Sequence, residues 1–417
     1  MIDANAPTAT RAQAVLLVTS WIGLSLGVII VMSSTFSVLF GPITSEFGWE
    51  RAQLALAYSL FSLTSTLAMP AIGRFVDSVG ARPVIIVCAT VFAVVACCLR
   101  WATQLWHFYA LFILLGLFSG GTSTLPYFKI LIAAFSGRRG TALGVANSGT
   151  AAGTFLFPLI AFQLNDALGW RNTYLAMGVG IALITTVVIL VGLRDRFIAG
   201  ASAGNAASAE ANASTAPAAE EGMSLTEAMR TPVFWVVGVS FFIATTALVG
   251  YLIHVVPLLT DRGMTAASAA VAASTFGAAQ VFGRVCTGFL LDRFPSGAVV
   301  AGLWLFGALS FTLLWSGTTG LPLYICTALL GLAFGGEGDV LAYIVGRLFG
   351  ARSFGRIYSV LLMINLLGGV AGPYLFGAGF DAAGTYTQVL GGAALCMAVA
   401  AVMAMTVRTS RPARRLA

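Results

Sequence analysis

Of 417 residues, 59% are hydrophobic and only 9% charged, with a mean hydropathy of +0.93; a soluble domain has no interior large enough for that much apolar surface, so lipid is the expected solvent. The formal charge of +7 does not point to nucleic acid, because the arginines sit in short clusters between apolar runs rather than on one basic face. Cys88, Cys97, Cys98, Cys286, Cys326 and Cys396 all lie inside apolar runs without metal-ligand spacing, so they read as buried thiols, and neither a metal nor a cofactor is expected.

Apolar runs long enough to cross about 30 Å of hydrocarbon at about 1.5 Å per residue begin near Val15, Leu54, Val84, Leu105, Thr141 and Asn172. Six more begin near Val233, Ala269, Ala298, Leu323, Ile357 and Thr387. The first continues from about Val15 to Phe40, which reads as a spanning helix rather than the short apolar segment of a cleaved signal peptide. The fold class expected is therefore an all-α membrane protein with twelve transmembrane helices in two six-helix bundles. Between the sixth and seventh runs, Ile198 to Gly222 is rich in Ala, Ser and Gly and reads as a flexible cytoplasmic linker. The domains are accordingly placed at 1–197 and 232–417, with 198–231 between them. The Asn212-Ala213-Ser214 sequon would face the cytoplasm and stay unglycosylated. Ser224 and Glu227 have capping-box spacing, which would start a short surface helix before Pro232.

Lys and Arg orient the chain, because positively charged segments resist translocation. With both termini in the cytoplasm, sixteen of the 22 basic residues fall in cytoplasmic segments and four, Arg51, Arg100, Arg171 and Arg262, in outer loops. The remaining two, Lys129 and Arg284, lie within spans. The bias favours a bacterial inner membrane.

The chain repeats itself. Shifting it by 215 residues aligns Pro42 with Pro257, Gly48 with Gly263, Gly73 with Gly288, Asp77 with Asp292, Gly140 with Gly355, Gly153 with Gly368, Pro158 with Pro373 and Gly169 with Gly384, without a gap. Leu114 to Leu117 and Leu329 to Leu332 both read LLGL in that register. Parallel repeats of this kind in a membrane chain point to a carrier that works by alternating access.

Two motifs carry a resemblance. GRFVDSVGARP, from Gly73 to Pro83, with its partial echo GFLLDRFP from Gly288 to Pro295, resembles the loop signature of the major facilitator superfamily. EFGWERAQ at Glu46, MRTPVFW at Met229, IHVVPLL at Ile253 and RVCTGFLLDRF at Arg284 are similar, over essentially the whole chain, to the bacterial monocarboxylate and oxalate/formate porters. The resemblance implies a gating loop, formed here by Gly73, Asp77, Gly80, Arg82, Gly288 and Asp292, whose Asp77, Arg82 and Asp292 would hold one conformation closed. It also implies that Arg284, in the pattern Arg284, Gly288, Asp292, binds the substrate carboxylate, a role that suits a permanently charged, forked guanidinium. The chain departs from the porters in span 11, where their second cation is matched by Leu361. An anion with one carboxylate is therefore a better expectation than a dicarboxylate.

Charges inside a bilayer cost several kcal/mol and usually face a wet cavity. Besides Arg284 they are Lys129, His254, Glu337 and Asp339. Arg284 reads as the substrate residue or as an ion-pair partner of Asp339 or Glu337. Lys129 reads as a second anion-binding cation or as the neutralising partner of the span 10 acids. Glu337 and Asp339 are separated by about 200° of helical rotation, so they need different partners, and either can load the proton of an anion symport. His254 reads as a satisfied interfacial group. Tyr127, Asn147, Tyr343 and Asn365 are candidates to line a polar cavity, or ordinary helix-packing groups.

The function expected is secondary transport of a small organic anion, a monocarboxylate above others, with protons or by anion exchange. The alternative is export of a drug-like neutral or zwitterionic compound. A sensor or an enzyme fits less well, because no signalling domain is attached and no nucleophile and base stand at motif spacing. The partners expected are the anion, protons or a counter-anion, and lipid, with no nucleic acid and the chain as a monomer.

Overall fold

The computed structural model describes residues 9–135, 139–194, 222–291, 293–350 and 352–407; Asp292 and most of the linker, residues 195–221, lie outside them. The first repeat holds α1 (Ala9–Ser25), α2 (Val28–Phe47), α3 (Arg51–Ser78), α4 (Ala81–Leu99), α5 (Leu105–Ser119), a 3₁₀ turn (Gly120–Thr122), α6 (Thr124–Ala134) and α7 (Arg139–Gly192). The second holds α8 (Leu225–Arg230), α9 (Pro232–Asp261), α10 (Ala266–Leu291), α11 (Ser296–Trp315), α12 (Leu321–Phe349), α13 (Phe354–Ala383) and α14 (Thr387–Thr406). Eleven runs among the described residues are long and apolar enough to cross a membrane. One of them, Thr141–Gly192, has 52 residues, more than twice the length that about 30 Å of hydrocarbon requires. Gly169, with φ 74° and ψ 163°, breaks it in two, which gives twelve spans.

By packing, the chain forms two compact units, one of residues 1–39 and 63–216, the other of 40–62 and 217–417. The adjoining ends of α2 and α3 thus pack in the second unit although their sequence belongs to the first repeat.

Helix boundaries follow the repeat. The starts of α3, α4 and α7, at 51, 81 and 139, recur 215 residues later as the starts of α10, α11 and α13, at 266, 296 and 354. Gly48 and Gly263, like Gly169 and Gly384, take positive φ at equivalent turns, where a side chain would be strained.

The close contacts follow it as well. A Cβ on Gly149 or Gly153 of α7 would overlap the carbonyls of Trp21 and Ser25 on α1, and one on Gly368 or Gly372 of α13 would overlap those of Phe242 and Thr246 on α9. Glycines one turn apart let two backbones touch, which matters in lipid because burial of apolar surface gives no advantage between spans there.

The repeats differ where the first is broken. Between α1 and α2 the helix lapses at Leu26 and Gly27, and between α5 and α6 at the 3₁₀ turn. Pro126 has no N–H for the Thr122 carbonyl and its ring crowds that carbonyl, so a continuous helix is ruled out. The equivalents of Gly27 and Pro126 are Phe242 and Leu341, and α9 and α12 run on unbroken. The two breaks serve each other: the Val28 N–H donates to Thr122 Oγ1 at 3.1 Å, both residues being buried. We predict that Thr122→Val, which keeps the shape and strands that N–H, costs about 1–3 kcal/mol, seen as a lower unfolding midpoint in detergent, whereas Thr122→Ser loses less.

The capping box forms as expected: Ser224 N–H donates to Glu227 Oε2 at 2.8 Å, and Glu227 N–H to Ser224 Oγ at 3.3 Å. The backbone bond from Ser224 holds the Glu227 carboxyl below its ordinary 4.5. A lowered folded value means that the contribution is complete above that ordinary range and is lost as pH falls through the folded value. Hydrogen-exchange protection of the Ser224 amide should therefore decline on acidification below about pH 4.5, and Glu227→Gln should remove that dependence.

Candidate functional site

In the second unit, α10 and α12 lie backbone to backbone. A Cβ on Gly331 or Gly335 would overlap the carbonyls of Phe276 and Gln280, and one on Gly283 would overlap that of Leu332. Extending this register by one turn sets the backbone of Arg284 level with that of Asp339, with Glu337 half a turn away. Three of the sequence candidates are therefore brought to one level of two touching helices. Arg284 is half-buried. The side chain of Asp339 lies outside the described residues, as does Asp292, so that part of the gating-loop expectation is left aside.

Glu337 is buried in α12. The Thr245 hydroxyl, from α9, bonds both Glu337 Oε1 and Asn365 Oδ1, the latter from α13, which joins three helices through one oxygen. A hydroxyl has one proton to donate, and here it faces two acceptor oxygens. A proton on Glu337 resolves this: the acid donates to Thr245, which donates to Asn365. With the amide turned over, Asn365 donates to Thr245, and Thr245 to a carboxylate. The same three side chains thus accommodate either charge state without an unpaired atom. Among the described residues Glu337 forms no ion pair. Thr245 was invisible to a reading that searched spans for ionisable groups; its only signal was a threonine pair in an apolar run.

Tyr343 stands elsewhere. Its hydroxyl donates to the Leu291 carbonyl at 3.2 Å, at the last residue of α10, and Arg347 lies over its ring. It caps a helix end, away from Glu337. Gly288 is exposed, with open space where a Cβ would be.

In the first unit Lys129, on α6, donates to Asp77 Oδ1 at 2.7 Å and to the Val76 carbonyl at 3.0 Å, both near the end of α3. The expectation that Lys129 would pair with the span 10 acids is replaced by this local partner, and the gating-loop aspartate finds a lysine on a neighbouring helix. Gly73 lies inside α3, Gly80 takes φ 93° as the N-cap of α4, and Arg82, half-buried, follows in its first turn. Tyr127 is fully buried against Gly23, and its hydroxyl has no hydrogen-bond partner among the described residues. Asn147 is half-buried in α7. The two tyrosines therefore do different work, which their matching places in the repeat did not reveal.

His254 is not interfacial but fully buried, with Nδ1 at 2.7 Å from the Tyr386 hydroxyl and Nε2 at 2.9 Å from the Pro373 carbonyl. The expectation that it is satisfied holds; its depth does not.

A model of the family described as Major Facilitator Superfamily matches residues 22–297 and 245–417. The chain belongs to the major facilitator superfamily. It is a multi-pass membrane transporter and not an enzyme. It is 26% identical to human monocarboxylate transporter 11 over 382 residues, 88% of this chain and 76% of that one. It is also 26% identical to rat monocarboxylate transporter 13 over 366 residues, 85% and 79% of the two chains. A multi-drug resistance efflux pump PmrA homolog from Lactococcus lactis is 30% identical over 136 residues, about a third of each chain (32% and 33%). A crystal structure of a bacterial homolog of the human lysosomal transporter Spinster, inward-facing and unoccupied, shares the fold with a TM-score of 0.73 at 17% identity, over 95% of this chain and 97% of that one.

In this transporter the Lys129 and Asp77 side chains are 47% and 76% exposed, so solvent screens the pair. We predict that Lys129→Met lowers stability by less than about 1 kcal/mol, measured by thermal unfolding in detergent.

Proposed function

We propose that the protein takes up a small organic anion, a monocarboxylate, together with a proton, by alternating access across a bacterial inner membrane, with both termini in the cytoplasm. The observation that carries this reading is the Glu337, Thr245 and Asn365 group, which keeps a carboxyl inside a span, paired only with uncharged hydrogen-bonding groups, and suits it equally with and without a proton. Arg284, level with it on the adjoining helix, takes the substrate carboxylate through its two-pronged donor set. Arrival of the anion's charge beside Glu337 favours proton uptake there, because a neighbouring negative charge opposes ionisation of a carboxyl. Relatives named as monocarboxylate transporters over most of the chain support the substrate class, and the excess of arginine in alternate loops supports the orientation.

Uptake of a panel of radiolabelled carboxylates into proteoliposomes, driven by an acid-outside gradient, tests it. Glu337→Gln is expected to lower net uptake at least tenfold and to leave exchange of substrate across the membrane intact. Arg284→Lys is expected to weaken both, since an ammonium lacks the second prong. Normal pH-driven uptake in both Glu337→Gln and Asp339→Asn would overturn the proton assignment. A second reading, export of an amphipathic neutral or zwitterionic compound, draws on the efflux-pump relative; it predicts no uptake of any carboxylate and drug-stimulated proton flux instead.

A further inference from the structure

Where α3 begins, the second unit contains a group of polar contacts that the proposed transport chemistry does not use. Arg51, the first residue of α3, reaches Asp261, the last of α9, with Nη1 at 2.6 Å from Oδ2 and Nη2 at 2.9 Å from Oδ1. Its Nη1 also donates to the Tyr386 hydroxyl at 2.9 Å, and its guanidinium lies over the Phe380 ring, 3.7 Å from the centroid. The backbone at the same place is held too. The N–H groups of Arg51 and Ala52 donate to Asp381 of α13, at 3.0 and 2.7 Å. The first N–H groups of a helix have no partner within it, so a carboxylate more than 300 residues away in sequence caps α3. At Gly377 a Cβ would come 2.8 Å from Ala52 Cα, so only a glycine lets α13 accept the helix start so closely. Beneath lies an apolar layer: Tyr386 bonds His254, whose ring packs on Phe40 and Phe376.

Two features separate this from ordinary packing. First, the repeat does not require it. The counterpart of Asp381 is Asp166, but that of Arg51 is Ala266, so the second copy of the same helix pair folds without the arginine. Second, the contacts between spans elsewhere in this unit are interlocked glycine backbones, whereas these are ionic, hydrogen-bonded and cation–π contacts at helix ends, with Asp261 more than a third exposed. Contacts of that kind are individually modest where water reaches them, so they separate and re-form without unfolding a helix.

We propose that Arg51 is a gating residue, and that the clasp it makes with Asp261, Asp381, Tyr386 and Phe380 opens and closes access to the layer around Phe40 and His254. Undocking the α2–α3 turn from α9, α13 and α14 exposes Phe40, which is fully buried with the clasp shut.

The test is the rate at which a thiol in Phe40→Cys reacts with a membrane-impermeant maleimide, in protein whose exposed Cys98, Cys286 and Cys396 are replaced by alanine. Arg51→Gln and Asp261→Asn are each expected to raise that rate at least tenfold. Arg51→Lys should stay within about threefold of the parent, because charge and one contact survive, and the exchange Arg51→Asp with Asp261→Arg should restore slow labelling. Equal rates in parent, Arg51→Gln and Asp261→Asn would overturn the proposal. A role in stability alone would lower the unfolding midpoint without the recovery by charge exchange. The readout needs no substrate, so it stands or falls separately from the carboxylate reading.

Discussion

Within hydrocarbon a polar group has no water to bond, and every donor and acceptor must find its partner inside the protein. That constraint accounts for the polar features of this transporter. Where Gly27 and Pro126 interrupt two helices, the break in one supplies the hydroxyl that the other needs, through Thr122 and Val28. Where Glu337 enters a span, Thr245 and Asn365 meet it from two further helices. His254 is tolerated at full burial because both ring nitrogens are occupied. Each of these is a polar group placed at a cost and then answered, which is why such positions draw attention to function while the apolar remainder does not.

Helix association has a separate basis. Lipid tails are as apolar as leucine, so the spans gain by fitting rather than by hiding. Glycines one turn apart at 149 and 153, and again at 368 and 372, bring carbonyl backbones into contact at equivalent places in the two repeats. The same device joins α10 to α12 and sets Arg284 level with the acids of α12. The scaffold is thus made of surfaces that do not separate, and the charged clasp at Arg51 stands out against it as a contact of a different kind.

The charges sort by depth. Lys129 and Asp77 neutralise one another near a helix end, where solvent weakens the bond and its loss is tolerated. Arg51 and Asp261 are more enclosed and tie together segments distant in sequence. Glu337 is deepest and is held by hydroxyl and amide groups alone among the described residues. A group that must change its charge during a cycle is better served by such neutral company than by a fixed cation, which would hold it ionised throughout.

Sequence by itself determined the lipid environment, the twelve spans, the repeat of 215 residues, the capping box at Ser224 and the short set of ionisable residues in the spans. All of these follow from local composition and spacing, since an apolar run of sufficient length has few alternatives to crossing the bilayer. Gly169 and Gly384 were legible as equivalent turns for the same reason. Only the tertiary structure decided the partners: Asp77 for Lys129, Thr245 and Asn365 for Glu337, Tyr386 for His254, and the assembly of Arg51 with Asp261 and Asp381. Those pairs are separated by 50 to more than 300 residues, and a hydrogen bond depends on a few tenths of an ångström that no spacing along the chain conveys. The fold of a membrane protein is written in runs of residues, but its chemistry lies where the runs meet.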